Sequence, residues 1–268
     1  MTKGRIVFVG LGLYDEKDIS LKGLDEIKKC DKVYAEFYTA KLFGTDIKKI
    51  EKTIGKPIEV LSRDGTEKGD KILDSAKNKE VVFLTCGDPM TATTHVDLRL
   101  RAANKGIETK VIHSSSIVTA VSGLLGLQNY KFGRTTTLVF PEKNYFPTSP
   151  YKVIRDNKKM GLHTLVLLDI QADKNRFMTA NQGLELLLEM EKKQGEHVLG
   201  EDSVVCVVAR AGSDNPVVVA NSVAFLKKID FGPPLHTIVV PGNLHFMEID
   251  ALTRFAGLPG VLGKKCKD

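Results

Sequence analysis

The stretch Glu80–Thr85, EVVFLT, limits the fold more than any other part of this chain. Four consecutive apolar side chains with no polar alternation make a strand that is buried on both faces. A parallel sheet covered by helices on each side provides that environment, and a one-sided antiparallel sheet does not. Arg5–Val9, Lys32–Phe37 and Thr109–Ile112 read as further short strands in the first part of the chain. TTTLVF (135–140), TLVLLDI (164–170), SVVCVVAR (203–210) and HTIVVPG (236–242) follow in the second. Helices fall between them. Ser20 is placed to cap one over Leu21–Lys29, another covers His95–Asn104, and NQGLELLLEMEKK has apolar residues at helical spacing. This alternation predicts an α/β protein of two domains, 1–113 and 114–268, with ligands bound where strands end. No repeat, low-complexity tract or linker marks the join.

The 268 residues, 42% hydrophobic and 27% charged, are enough for substantial cores and carry no signature of disorder. The formal charge of +6 comes from 39 basic and 33 acidic residues spread along the chain. That pattern favours an acidic partner or nucleic acid only weakly and better fits a Lys/Glu-rich surface of the kind found in heat-adapted proteins. Cys30, Cys86, Cys206 and Cys266 form no C-x-x-C pair and follow no signal peptide, so they are expected to be reduced thiols of a cytoplasmic protein. Residues 111–130 lack Asp, Glu, Lys and Arg, yet His113, Ser114–Ser116, Thr119 and Ser122 are too polar for a membrane span. A strand end, a serine turn and a buried helix are expected there instead.

Three loops carry the chemistry. Gly10-Leu11-Gly12-Leu13-Tyr14-Asp15 resembles the start of a dinucleotide fingerprint, but Asp15 replaces the third glycine and would repel a phosphate. The helix also starts only near Ser20, too late to face a pyrophosphate, and Glu36 alone cannot rescue a nicotinamide reading. In TCGDPMTATTH (85–95), Asp88 lies in a tight turn at the end of a buried strand. The small residues Thr91, Ala92, Thr93 and Thr94 after it leave backbone groups accessible. A carboxylate there suits a cationic ligand; no Asp, Glu or His stands at metal-ligand spacing beside it, so no metal is expected. IHSSSI (112–117) is again strand, turn, helix, with the serines equally readable as caps or ligand contacts. No G-x-S-x-G elbow and no H-x-H or H-E-x-x-H occurs, so neither a serine nucleophile nor a histidine metal site is indicated. Among six histidines, His236 stands out between PPL and a buried strand.

Taken together, GLGLYDEKDISLKGL, AEFYT, GDPMTATTH, IHSSSI, YKFG, FPTSPY, GLHTLVLLDI, ARAGS and PLHTIVVPG resemble the diphthine synthases, in order, from about residue 5 to 250. These are methyltransferases of the tetrapyrrole-methylase type that act on the modified histidine of translation elongation factor 2. The resemblance implies two α/β domains of that type, a homodimer, and S-adenosylmethionine in the interdomain cleft. Carried over motif by motif, cofactor contacts fall on Leu13, Asp88, Thr91, Ser116, Ile117, Leu168, Ala211 and His236. Residues 41–75 and the tail after Leu258 match nothing specific. The short stretch between Ile170 and the MTANQ helix resembles archaeal members. The glycine turn is then explained: it lets backbone approach an adenosyl methionine that has no phosphate.

Methyl transfer from a sulfonium to an amine asks the protein mainly for alignment and exclusion of water. The sequence alone names no general base. Two rival readings are a methylase of a tetrapyrrole or corrin precursor and a non-catalytic protein that binds the elongation factor. The aromatic segment FPEKNYFPTSPY (140–151) suits a protein substrate, and equally a dimer or core contact.

Overall fold

A computed structural model describes residues 4–38, 40–143 and 145–265. Cys266, Thr39 of AEFYT and Asn144 of the aromatic segment lie outside the described residues. The chain divides into two compact units, one running through Ile117 with Gln171–Asn175 added, the other formed by Val118–Ile170 and the remainder from Arg176.

The first unit holds β1 (Arg5–Gly10), α1 (Leu21–Lys29), β2 (Lys32–Glu36), α2 (Ile47–Ile54), β3 (Ile58–Leu61), α3 (Arg63–Lys68), α4 (Asp70–Ser75), β4 (Glu80–Thr85), α5 (His95–Asn104) and β5 (Glu108–Ile112). Its five strands run in the order β3-β2-β4-β1-β5, every neighbouring pair parallel. The apolar run of β4 sits near the middle and shows why it does not alternate. Val82 and Leu84 face Ile27 of α1 and Ile50 and Ile54 of α2, whereas Val81 and Phe83 face Ile72 and Leu73 of α4 and Leu98 and Ala102 of α5. All four β4 side chains are fully buried, each contributing about 1.5–3 kcal/mol. The caps follow the sequence: the Ser20 hydroxyl accepts from the N–H of Gly23 and starts α1. Asp46 caps α2, a helix that the sequence reading did not place.

The second unit holds α6 (Ile117–Leu125), β6 (Thr136–Leu138), α7 (Ser149–Lys159), β7 (Thr164–Leu168), β8 (Ile170–Gln171), β9 (Arg176–Phe177), α8 (Ala180–Gln194), β10 (Val204–Ala209), β11 (Val217–Ser222), α9 (Val223–Leu226), β12 (His236–Val240), α10 (Phe246–Ala256) and α11 (Gly260–Lys265). Here β11-β10-β12-β7-β6 form a mixed sheet, antiparallel except for β6 beside β7; β8 and β9 make a small ribbon. Leu184 and Leu187 of α8 close one face of the core over Val166, Val205, Val207 and Ile238.

A buried polar knot fixes the entry to α10. The Glu248 carboxylate, 1% exposed, accepts from His163 Nε2 at 2.9 Å, Lys131 Nζ at 2.7 Å, and the N–H groups of Gln128 and His245 at 2.9 Å each. His163 Nδ1 in turn accepts from the N–H of Gly242. Burial alone would raise the Glu248 carboxyl, but these donors bring it down to about 2. Among the described residues, no helix is long and apolar enough to cross a membrane. Cys30, Cys86 and Cys206 are buried and form no disulfide among the described residues.

Candidate functional site

In the first unit β4, β1 and β5 are neighbours, so the loops that follow them emerge side by side at one edge of the sheet. The chain leaves β1 for α1 on one face and leaves β4 for α5 on the other. Loops that diverge from adjacent parallel strands open a crevice at their carboxyl ends, where α/β sheets bind ligands. Gly12 and Gly87 form its floor. The Gly12 N–H donates to the Gly87 carbonyl at 3.3 Å and the Gly87 N–H to that of Gly12 at 2.7 Å. Both have left-handed φ, +80° and +70°, which other residues rarely adopt. Gly10 is held by space: a Cβ there would lie 2.5 Å from the Gly87 carbonyl oxygen and 2.6 Å from Ser114 Cβ.

The turn after β1 closes on an acid that the sequence reading passed over. Asp18 Oδ2 accepts from the N–H groups of Leu13 at 3.0 Å and Tyr14 at 2.7 Å. Asp15, which the sequence offered as the phosphate-repelling residue, instead caps a short 3-10 turn over Glu16–Asp18 through the N–H of Lys17. The first donors of the turn are therefore taken by a carboxylate. A pyrophosphate would meet a negative charge where a dinucleotide site presents amides.

Asp88 is more engaged than its loop position suggested. Its side chain is 7% exposed. One oxygen accepts from the Met90 N–H at 2.9 Å and the Thr91 hydroxyl at 3.2 Å, the other from His113 Nδ1 at 2.8 Å and the Ser114 N–H at 3.2 Å. Burial pushes the carboxyl up, but the Met90 amide, the His113 ring and the Ser114 amide outweigh it and hold the group below the ordinary carboxylate range. With both oxygens occupied inside the protein, Asp88 joins the β4 loop to the serine turn and does not stand open to a cationic ligand. The Ser114 hydroxyl reaches on to the Asp18 carbonyl, so all three loops are connected. Ser116 is buried, and Ile117 begins α6. Leu13, Asp88, Thr91, Ser116 and Ile117 are thus brought to one edge of the first unit.

The other three positions meet at one end of the second sheet. Ladder register sets His236 opposite Ala209 and Thr237 opposite Leu167, which brings Leu168 and Ala211 to the start of β12. Arg210, left-handed at φ +53°, turns the chain just before Ala211, and its guanidinium donates to the Phe231 and Pro233 carbonyls. His236 is held at both nitrogens. Nδ1 accepts from the Ala180 N–H at 3.1 Å, and Nε2 donates to the Gly232 and Pro233 carbonyls at 3.1 Å. Burial, ahead of every other influence, lowers its pKa and keeps the ring neutral.

The aromatic segment divides between core and surface. Phe140 and Tyr151 belong to the core, Tyr151 donating to Glu191 at 2.9 Å. Phe146 packs against that core under the Lys193 ammonium, 3.4 Å from the ring centre. Tyr145 is 59% exposed. No cluster of three or more His, Cys, Asp or Glu suited to a metal occurs among the described residues. Asp18 was missed because it closes its turn from four and five residues away with no motif to mark it, and His113 because its partner lies in another loop; His113 drew notice only as a polar interruption before the serine turn.

A family model for tetrapyrrole (corrin/porphyrin) methylases matches residues 5–226. The chain is 58% identical to a diphthine synthase of Methanococcus maripaludis over 248 residues, 92% of this chain and 97% of the relative. It is 56% identical to a diphthine synthase of Methanocaldococcus jannaschii over 250 residues, with the same two coverages. A crystal structure of diphthine synthase superposes with a TM-score of 0.89 at 41% identity, covering 97% of this chain and 98% of that one. The parallel sheet, the glycine-floored crevice and these likenesses agree: the chain belongs to the diphthine synthases, methyltransferases of the tetrapyrrole methylase family.

Proposed function

We propose that the protein uses S-adenosylmethionine, without a metal, to methylate the amino group of the 2-(3-amino-3-carboxypropyl)histidine of translation elongation factor 2, giving diphthine. The observation that carries the cofactor reading is the Asp18 carboxylate across the Leu13 and Tyr14 amides. It disfavours phosphate and suits a ligand that has none and whose sulfonium leaves it a net positive charge beside a zwitterionic amino-acid end. The loop residues 10–16, 86–94 and 113–117 contain no Lys or Arg, and the one lysine between them and α1, Lys17, is exposed. The Thr85 hydroxyl, buried beside Gly10 in the ladder, has no hydrogen-bond partner among the described residues and offers a polar contact. The residues present therefore fit this cofactor.

In this reading Leu13, Thr91, Ser116 and Ile117 of the first unit and Leu168, Ala211 and His236 of the second hold the cofactor. Asp88 acts through the loops that it joins. The cofactor supplies a methyl group on a positively charged sulfur. The chain orients the substrate amine in line with that methyl and keeps water away, which is where most of the rate arises in a displacement that disperses charge. Tyr145 supports docking of a protein substrate, since exposed aromatics anchor protein contacts. The exposed Phe246, Met247 and Phe255 of α10 support assembly as a homodimer, and the protein is read as cytoplasmic.

Mass spectrometry of elongation factor 2 after incubation with the protein and cofactor tests the proposal. Mass added in methyl increments on the modified histidine is expected. An unmodified factor, with methyl label appearing instead in a corrin precursor, would transfer the chain to the other substrate class.

A further inference from the structure

Resting on the substrate reading above, we infer that His113, oriented by Asp88, is the general base that removes the proton from the substrate ammonium. An amine of this kind is protonated at neutral pH, and its nitrogen has no lone pair to offer a methyl group until that proton leaves. Every round of methylation that starts from an N–H releases one proton, so a positioned acceptor contributes at each such round.

The geometry points to His113 by several independent features. It is the residue directly after β5, in the turn that Asp88 joins to the β4 loop. Its Nδ1 lies 2.8 Å from Asp88 Oδ2. The carboxylate is acceptor-only because the Met90 and Ser114 amides and the Thr91 hydroxyl all donate to it, so Nδ1 carries the hydrogen. The other nitrogen, Nε2, is then an unprotonated acceptor. It hydrogen-bonds to none of the described residues, and the side chain is 73% exposed although Asp88 beneath it is buried. A ring held at one nitrogen by a buried carboxylate, with the other left outward as a base, is the arrangement used in nucleophile-activating triads.

Two other buried histidines are arranged differently. His95 is buried between Phe8 and Phe83 with Nδ1 on the Pro89 carbonyl. His236 has both nitrogens engaged. The charged groups on the adjoining loops are Asp88 at the ring itself, Asp18 joined through Ser114, and Asp15, Glu16 and Lys17 on the β1 loop. The sum is acidic and complements a cationic substrate nitrogen. In the step itself, the N–H bond of the substrate ammonium breaks, its electron pair stays on nitrogen, and the proton bonds to His113 Nε2. The exposed ring then passes that proton to solvent.

Two measurements on the full chain test this. The first needs no substrate: nitrogen-15 NMR of the neutral His113 ring in the cofactor-free protein, which reads the tautomer directly. The hydrogen is expected on Nδ1 in the unsubstituted protein and in part on Nε2 in Asp88→Ala, where the acceptor is gone. A hydrogen on Nε2 in the unsubstituted protein, or an unchanged tautomer in the variant, would overturn the inference. The second compares His113→Gln with the unsubstituted protein on elongation factor 2, between about pH 6 and 9.5. A drop in kcat on the order of 100-fold near neutrality is expected, shrinking as pH rises toward the amine's own pKa, with rescue by added imidazole. Cofactor affinity by calorimetry should stay within about two-fold. A wild-type rate across the pH range, or a loss of cofactor affinity that matches the loss of rate, would overturn the inference. If the unsubstituted chain binds cofactor yet never methylates the factor, the substrate reading fails first, and its failure is visible before any substitution is made.

Discussion

Gly12 and Gly87, on loops that follow adjacent parallel strands, exchange a reciprocal pair of backbone hydrogen bonds. Neither residue brings a side chain to the crevice, so the backbone itself forms the surface. The two loops behave as one platform, and Gly10 beneath it has no room for a methyl group.

Gly10→Ala should therefore force the β4 loop and the serine turn apart. Overpacking of this kind costs about 1–3 kcal/mol, and the distortion falls on the residues proposed to hold the cofactor. Urea unfolding should show that loss, and calorimetry at least a tenfold weaker affinity, equivalent to about 1.4 kcal/mol. Equal affinity in the variant would mean that the crevice floor takes no part in binding.

Asp18→Ala should weaken cofactor binding while leaving most of the stability intact. Losing a charged acceptor for two backbone amides is worth about 1.5–3 kcal/mol, most of it local to the turn over 12–18. Phosphate-bearing nucleotides become a useful control. If the variant binds NAD or ATP better than the parent does, the role of Asp18 in excluding phosphate is supported; unchanged selectivity would count against it.

Cofactor binding should persist in chelator. Calorimetry with S-adenosylmethionine or its demethylated product, in the presence and absence of EDTA, should give the same affinity. Binding lost in chelator and restored by a divalent ion would contradict the metal-free reading.

The polar knot around Glu248 predicts how the second unit responds to acid. Its folded carboxyl lies at about 2 against an ordinary 4.5, so its contribution is complete above about pH 4.5 and is lost as pH falls toward 2. That shift corresponds to on the order of 3 kcal/mol. His163 acts in the same direction: burial, outweighing the pull of Glu248, lowers its pKa. The folded state resists protonating this ring, so stability also declines as pH drops below the ordinary histidine value of 6.5. Urea midpoints between about pH 3 and 7 should fall on acidification, and Glu248→Gln should flatten the lower part of that dependence. An acid profile identical in the variant would remove Glu248 from the account.

Tyr145 and Phe146 are adjacent but should fail in different ways. Phe146→Ala removes an aromatic face from the core edge and from Lys193, costing about 2 kcal/mol of stability. Tyr145→Ala, at an exposed position, should leave both stability and cofactor affinity alone while slowing methylation of the intact elongation factor. Methyl label counted on the factor beside a thermal melt separates the two effects. A wild-type rate for Tyr145→Ala would exclude this residue from the docking surface.

The sequence was most readable where one strand or helix decides its own environment. The unbroken apolar run of β4, the Ser20 cap of α1, and the spacing in α5 and α8 all appear close to their expected limits. Elements whose burial is partial were hidden: α2 and β3 lie in the lysine-rich 41–75 stretch, where Val60 and Ile47 remain exposed. β11 was missed because it shows no clear alternation and lies at the sheet edge. The loops were located correctly, but not the traffic between them. Asp88 meets His113 across 25 residues, and Asp18 meets Ser114 across 96. Such pairings depend on strand order, which β4 inserting between β2 and β1 decides, and no local pattern encodes that insertion.

That same insertion has a consequence for synthesis of the chain on the ribosome. β1 is the first strand to emerge, yet its ladder partners are β4 and β5; Arg5 faces Glu80, 75 residues later. Neither β2 nor β3 lies beside it in the sheet. At elongation speeds of about 5–20 residues per second, Ile6, Val7, Phe8 and Val9 are without their native neighbours for several seconds. The first unit therefore begins life with its most apolar edges bare, and it is over this interval that a chaperone or a slowed stretch of message would have most to protect.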